Sequence, residues 1–317
     1  MSLVCRLEAH HQQTETDVFA QEPQPKLEPG VALPASAPTH ALPLGTQRDG
    51  TPFPLSKPIV REDGIILVGT ELMSDQHQNR IFVTNMHSFH QSRPVASIPV
   101  PDSVCDLHWL NDCTAVVAVG KDVQLIRIGS TPGDRSCRLQ PPINRVHSDT
   151  IREVALAQAT TRPHVLSGGF DETVCVTQLD PAGDPKASVV VSKFDAHDVV
   201  SSVRWSPTEA QVSWTTDGGD FHMADIRLKP SHTQMPAASV VRVDQMGGLF
   251  THEYLSCTSV VLGFEHGDLV FLDTRMPRAS TCYHKMPSQL VSTGEIRRSK
   301  MGKLAVFGLS GCGCQGF

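Results

Sequence analysis

From Ile59 onward, apolar residues come in short runs separated by clusters of Gly, Pro, Asp and Ser. Runs such as Ile65-Ile66-Leu67-Val68-Gly69, Ala115-Val116-Val117-Ala118-Val119 and Val123-Gln124-Leu125-Ile126-Arg127-Ile128 are about five or six residues long and rich in β-branched side chains, which predicts strands. The residues between them are those of turns, and helical periodicity is hard to find. Other predicted strands lie at 81–84, 104–109, 260–264 and 269–272, and a last set begins at Leu290 and runs through Leu304-Ala305-Val306-Phe307-Gly308.

The runs repeat as sets, at a period of roughly 48 residues. Each set opens near a His or a Trp-bearing strand, passes a turn of small residues with Asp, and closes on an alternating strand. The best copy starts at His147-Ser148-Asp149 and reaches Ser167-Gly168-Gly169-Phe170-Asp171-Glu172-Thr173-Val174. A second runs from His197 through Trp205-Ser206-Pro207 to Asp217-Gly218-Gly219-Asp220, and a weaker one spans 260–275. A single set is too small to bury both its faces. Stacking the sets radially covers them and leaves only short edges. Trp109 and Trp205 recur at matching places in successive first strands, which predicts packing between sets.

Residues 59–311 resemble the WD40 family, most closely at 167–174, which matches the family's turn between second and third blade strands. The resemblance implies an all-β, WD40-type β-propeller of six to seven blades. It also implies that His147 with Asp171, and His197 with Asp217, are pairs in the hydrogen-bonded sets that lock blades, although Asp217 sits about one position out of register. The Trp-Asp dipeptide itself is replaced by Thr177-Gln178, Ala224-Asp225 and Leu272-Asp273, so the locking sets are expected to be incomplete. The spacing beyond about 45 residues per blade is assigned to insertions at 132–144 and 229–236.

A narrower resemblance rests on 61–69 and on the strand tails Asp225-Ile226-Arg227 and Asp273-Thr274-Arg275. These look like the WD subunit of the methylosome, which implies an arginine methyltransferase as partner. The same Asp-x-Arg endings are similar to those with which WD substrate receptors of cullin-RING ubiquitin ligases dock their adaptor. Under either reading Arg227 and Arg275 are the candidate partner-binding residues, because a guanidinium fork suits bidentate contacts.

Residues 1–58 carry prolines from Pro23 to Pro58 with few aliphatic clusters, and read as a disordered arm. Residues 312–317 read as a Gly/Cys tail. The sixth set stops short of a closed ring, so either the N-terminal region supplies further strands or the C-terminus is that of a truncated product. The formal net charge of -6 argues against bulk nucleic-acid binding. No apolar stretch reaches the roughly 18 to 20 residues of a membrane span, and Met1–Ala20 lacks the apolar run of a signal peptide. Nine cysteines without a spaced framework fit a reducing compartment, hence the cytoplasm, the nucleus or both.

Catalytic and metal chemistry find little support. Gly308-Leu309-Ser310-Gly311-Cys312 departs from a nucleophile elbow at its last position and lacks the strand-turn-helix context. Cys312 with Cys314, and His87 with His90, are close pairs without the second pair a zinc site needs. The basic run 297–303 reads as a solvated loop. The expectation is a non-catalytic scaffold with protein partners, no cofactor and no metal; an enzyme carried on a propeller is the alternative class.

Overall fold

The computed structural model describes residues 55–71, 79–85, 96–129, 137–143, 145–157, 162–180, 183–227, 239–242, 247–275, 280–285, 292–298 and 304–309; for 239–242 and for the residues after 275 only the backbone is described. The first blade is β1 (Ile59–Val60), β2 (Ile65–Gly69), β3 (Arg80–Asn85) and β4 (Ala96–Pro99). The second is β5 (Val104–Asn111), β6 (Thr114–Val119), β7 (Asp122–Ile128) and β8 (Cys137–Leu139). The third is β9 (Ile151–Ala157), β10 (His164–Gly169), β11 (Thr173–Gln178) and β12 (Val189–Asp195). The fourth is β13 (Val200–Trp205), β14 (Gln211–Thr216), β15 (Asp220–Asp225) and β16 (Ser239–Arg242). The fifth is β17 (Leu249–Tyr254), β18 (Ser259–Phe264), β19 (Asp268–Asp273) and β20 (Ser280–Lys285), and β21 (Ser292–Arg298) with β22 (Leu304–Leu309) forms a two-stranded sixth sheet. Every sheet is an antiparallel meander, and the sheets are the successive blades of a β-propeller.

Strand β6 shows why the sheets stack. All six of its residues are buried. Alternate side chains leave opposite faces of a strand. Ala115, Val117 and Val119 therefore pack with Leu67, Ile81 and Ile98 of the first blade, whereas Val116 and Ala118 pack with Ile151, Val154 and Val165 of the third. The third and fourth blades share the next cluster, in which Leu166, Val176 and Phe194 meet Val200, Val203 and Trp214. Phe221 then joins the fourth blade to Leu249, Leu262 and Phe264 of the fifth. Each of these four cores thus lies between blades, and burying one such side chain contributes about 1.5–3 kcal/mol.

Backbone bonds tie neighbours at the inner rim, with Val104 N–H donating to Thr70 O and Ile151 N–H to Gly120 O, both at 2.8 Å. Trp205 spans the seam between the third and fourth blades, its Nε1–H donating to Ala155 O at 3.1 Å. Trp109 packs, half-buried, against the cluster shared by the first two blades.

Two expected boundaries move. Leu55 bridges Thr70, and Ser56 N–H donates to Gly69 O at 2.9 Å, so the first sheet takes in residues placed in the arm. The insertion expected at 132–144 contains β8, the outer strand of the second blade. The insertion at 229–236, residues 1–54 of the arm and the 312–317 tail lie outside the described residues.

Close stacking demands a small residue where one blade meets the first inner residue of the next. A Cβ on Gly69 would stand 2.2 Å from Val104 Cγ1, and one on Gly168 would stand 2.6 Å from Val200 Cγ1. Replacing Gly168→Ala is expected to cost about 1–3 kcal/mol by forcing the third and fourth blades apart. Urea unfolding followed by circular dichroism measures it; an unchanged midpoint would show that the seam has slack.

Candidate functional site

In the third blade His147 is enclosed, with no exposed side-chain surface, because it precedes β9 and turns under the β10–β11 hairpin. Its Nδ1 lies 3.0 and 3.1 Å from the two oxygens of Asp171, its Nε2 lies 2.8 Å from Ser167 Oγ, and Thr173 Oγ1 stands 3.1 Å from Nδ1. Asp171 also accepts the Ser148 N–H at 3.0 Å, closing the loop over the ring. Burial alone would lower the imidazole's pKa, but the bonds to Asp171 and the neighbouring Cys175 outweigh it and raise it to about 9. Burial likewise works against the Asp171 carboxylate, and His147 overcomes it, holding the group at about 2. As an imidazolium, His147 donates from both nitrogens.

His197 and Asp217, expected as a second such pair, are not joined. His197 is 80% exposed and lies 3.1 Å from Asp195, and Asp217 accepts both bonds from Arg152 Nη1 at 2.8 and 2.9 Å. The reason lies in β14. The place of Ser167 is taken by Trp214, which fills the space of the missing network and stacks on His222 at 5.1 Å. The place of Asp171 is taken by Gly218, whose N–H donates instead to Asp198 at 2.5 Å. With neither acceptor in position, the histidine stays in solvent.

Arg227 and Arg275 occupy equivalent corners of the fourth and fifth blades, just beyond β15 and β19. Each folds its guanidinium back onto the last residue of its strand. Arg227 Nε and Nη2 donate to Asp225 at 2.9 and 2.5 Å, and Arg275 repeats this on Asp273 at 3.0 and 2.6 Å. The arginine bonds hold Asp273 at about 2 and lower Asp225. The side chains remain 70% and 69% exposed, so these pairs orient a donor outward and add little to stability. Nη1 of each donates to no group among the described residues.

A third arrangement lies on the inner strands. Asp106 of β5 accepts the Val154 N–H of β9 at 3.0 Å, and Glu153 of β9 accepts the Val203 N–H of β13 at 2.8 Å. Both acids are the third residue of their strand and reach the fourth residue of the next, so a carboxylate clasps each of these seams. Buried Arg204 completes the wall, its Nη1 2.6 Å from Glu153 and its Nε 3.7 Å from Glu253. Burial works against the Asp106 carboxylate, but the charges of His108 and Lys57 hold it below the usual range.

Among the described residues no group of three or more His, Cys, Asp or Glu gathers in metal-binding fashion, and no helix is long and apolar enough to cross a membrane. Ser310, Cys312, Cys314, His87 and His90 lie outside the described residues, as does most of the basic run.

No family model matches the chain, and no curated protein matches it. Among solved structures it is similar to Sqt1 from Chaetomium thermophilum, with a TM-score of 0.58 at 17% sequence identity, over 77% of this chain and 64% of that one. The chain thus spans just under two thirds of that protein's length, and the likeness shows the fold, a WD40-type propeller. Solved chains matching the fold number 1364, so the fold by itself selects no activity.

The lock around His147 has a defined pH window. A raised histidine contributes stability that is fully present below its unfolded value near 6.5 and lost as pH rises through about 9; the depressed Asp171 contributes stability present above about 3.8 and lost as pH falls through about 2. His147→Asn is therefore expected to destabilise most, by about 3 kcal/mol, between pH 4 and 6.5. The deficit should shrink toward pH 10, as urea melts of both chains across that range would register.

Proposed function

We propose that this protein is a non-catalytic scaffold of the cytoplasm or nucleus, whose blades hold separate protein-binding surfaces in fixed relation. The observation that supports it most is the repeated corner, in which two adjacent blades present the same outward guanidinium, each pinned by its own aspartate. A pinned guanidinium meets a carboxylate or carbonyl with little further loss of side-chain freedom. The propeller likeness favours the same general role.

Two finer readings name the partner. In the first, drawn from the strand tails and the first-blade sequence, the chain is the propeller subunit of an arginine methyltransferase complex. In the second, the duplicated Asp-x-Arg corner docks the adaptor of a cullin-RING ubiquitin ligase. The second draws on the matched geometry at Arg227 and Arg275.

Affinity purification of the tagged full chain from cells discriminates between them. Recovery of an arginine methyltransferase supports the first. Recovery of a cullin adaptor that disappears in the Arg227→Ala, Arg275→Ala double variant, with the melting temperature unchanged, supports the second. Turnover of a substrate by the purified chain alone would contradict the scaffold reading.

A further inference from the structure

The carboxylate clasp stops at the fourth blade. Asp106 and Glu153 each cross a seam, but the corresponding third residue of β13 is Ser202, and that of β17 is Thr251. Ser202 is too short to cross. It is 2% exposed, and its Oγ has no hydrogen-bond partner among the described residues. Where the acidic arms end, a cavity of about 300 Å³ opens among the inner strands, lined by Lys57, Glu71, Asp106, Glu153, Ser202 and Thr251. A second hollow of about 230 Å³ shares Glu71 and Arg152 with it and extends over Ile151 and Phe170.

The charges around this space are unequally matched. Arg152 is bidentate to Asp217, Arg204 is paired with Glu153, and Lys57 faces the charge of Asp106. Glu71, at the rim of the cavity, has no cation or hydrogen-bond partner among the described residues and is exposed to solvent. Surrounding protein, and then the Asp106 charge, push its carboxyl up to about 7. The cations are thus matched and the surplus is a carboxyl group that an incoming cation would ionise, beside a buried hydroxyl without a bond among the described residues.

We propose that this cavity receives a basic side chain, the ammonium or guanidinium of a lysine or arginine presented by a partner polypeptide. The charge sits between Glu71 and Asp106, and Ser202 Oγ accepts one of its N–H bonds. The adjoining hollow, where the Phe170 ring is exposed, supplies an apolar shelf for the bearer's main chain, which a free amine would not use. This site is separate from the Asp-x-Arg corners. It rests on the scaffold reading only for the source of the side chain.

The test is calorimetric titration of the purified full chain with N-acetyl-lysine-methylamide, N-acetyl-arginine-methylamide, their neutral analogue N-acetyl-citrulline-methylamide, and butylamine. At least one basic amide is expected to bind while the citrulline amide does not. Glu71→Gln should weaken binding about tenfold, the loss of one charge-assisted contact. Glu71→Lys should abolish it, each variant melting as the parent does, and the Arg227→Ala, Arg275→Ala chain should bind normally. Equal binding of citrulline, indifference to both Glu71 variants, or no binding of either basic amide would overturn the proposal. Butylamine binding as tightly as the amides would overturn the polypeptide as source. None of these results depends on which protein the corners capture, so the site and the scaffold role fail separately.

Discussion

The structure depends on one contact repeated around an axis, the apolar face of one four-stranded sheet laid against the apolar face of the next. No cluster containing Trp214, Val117 or Leu262 belongs to one blade alone. Strands buried on both faces read as continuous apolar runs instead of alternating ones, and β6 and β10 have that character. The other features of the inner rim follow. Glycines stand where the next blade's valine presses closest, backbone amides bond across the seam, and two acids reach across it.

This dependence explains what was legible in the sequence. The repeat was, because each blade must offer the same faces to both neighbours. The carboxylate bonds that cross seams join residues 48 and 50 apart, close to the period, because each runs from the third residue of one inner strand to the fourth of the next. The inner three strands of most blades were legible for the same reason. Outer strands were less so, since they have a partner on one side only; β12 exposes Val189 and Val191, and β8 lies inside a stretch read as an insertion. The His147 set was visible because its members fall in one local pattern. The His197 assignment failed because the pattern was counted from the histidine, while the decisive residues were Trp214 and Gly218 on the facing strand and turn. The cavity residues were hidden differently. Lys57, Asp106, Glu153, Ser202 and Thr251 form a set only once each strand's register, with its bulge, is fixed.

The blades differ in how they are secured, and that difference sets which polar groups each surface presents. The third blade carries a full histidine lock, the fourth replaces it with a stacked Trp214–His222 pair, and the clasp ends at Ser202. Where polar fastening is complete, the surface has few groups to spare. Where it lapses, other groups come forward: two exposed guanidinia, each paired with its own aspartate, at the outer corners, and Glu71 with Ser202, without hydrogen-bond partners among the described residues, at the inner ends of the strands. A rigid fold shared by many proteins thus acquires particular surfaces from local departures from its own repeat.

Whether cohesion comes from between the blades is tested most directly on one blade by itself. A fragment covering residues 145–196 contains all four strands of the third blade, together with His147, Ser167 and Asp171. If the apolar seams supply the cohesion, this fragment will show a collapsed amide proton spectrum and no cooperative thermal transition, despite carrying the complete lock. A dispersed spectrum with a sharp melt would contradict it, and would locate the stability of the fold inside the single sheet.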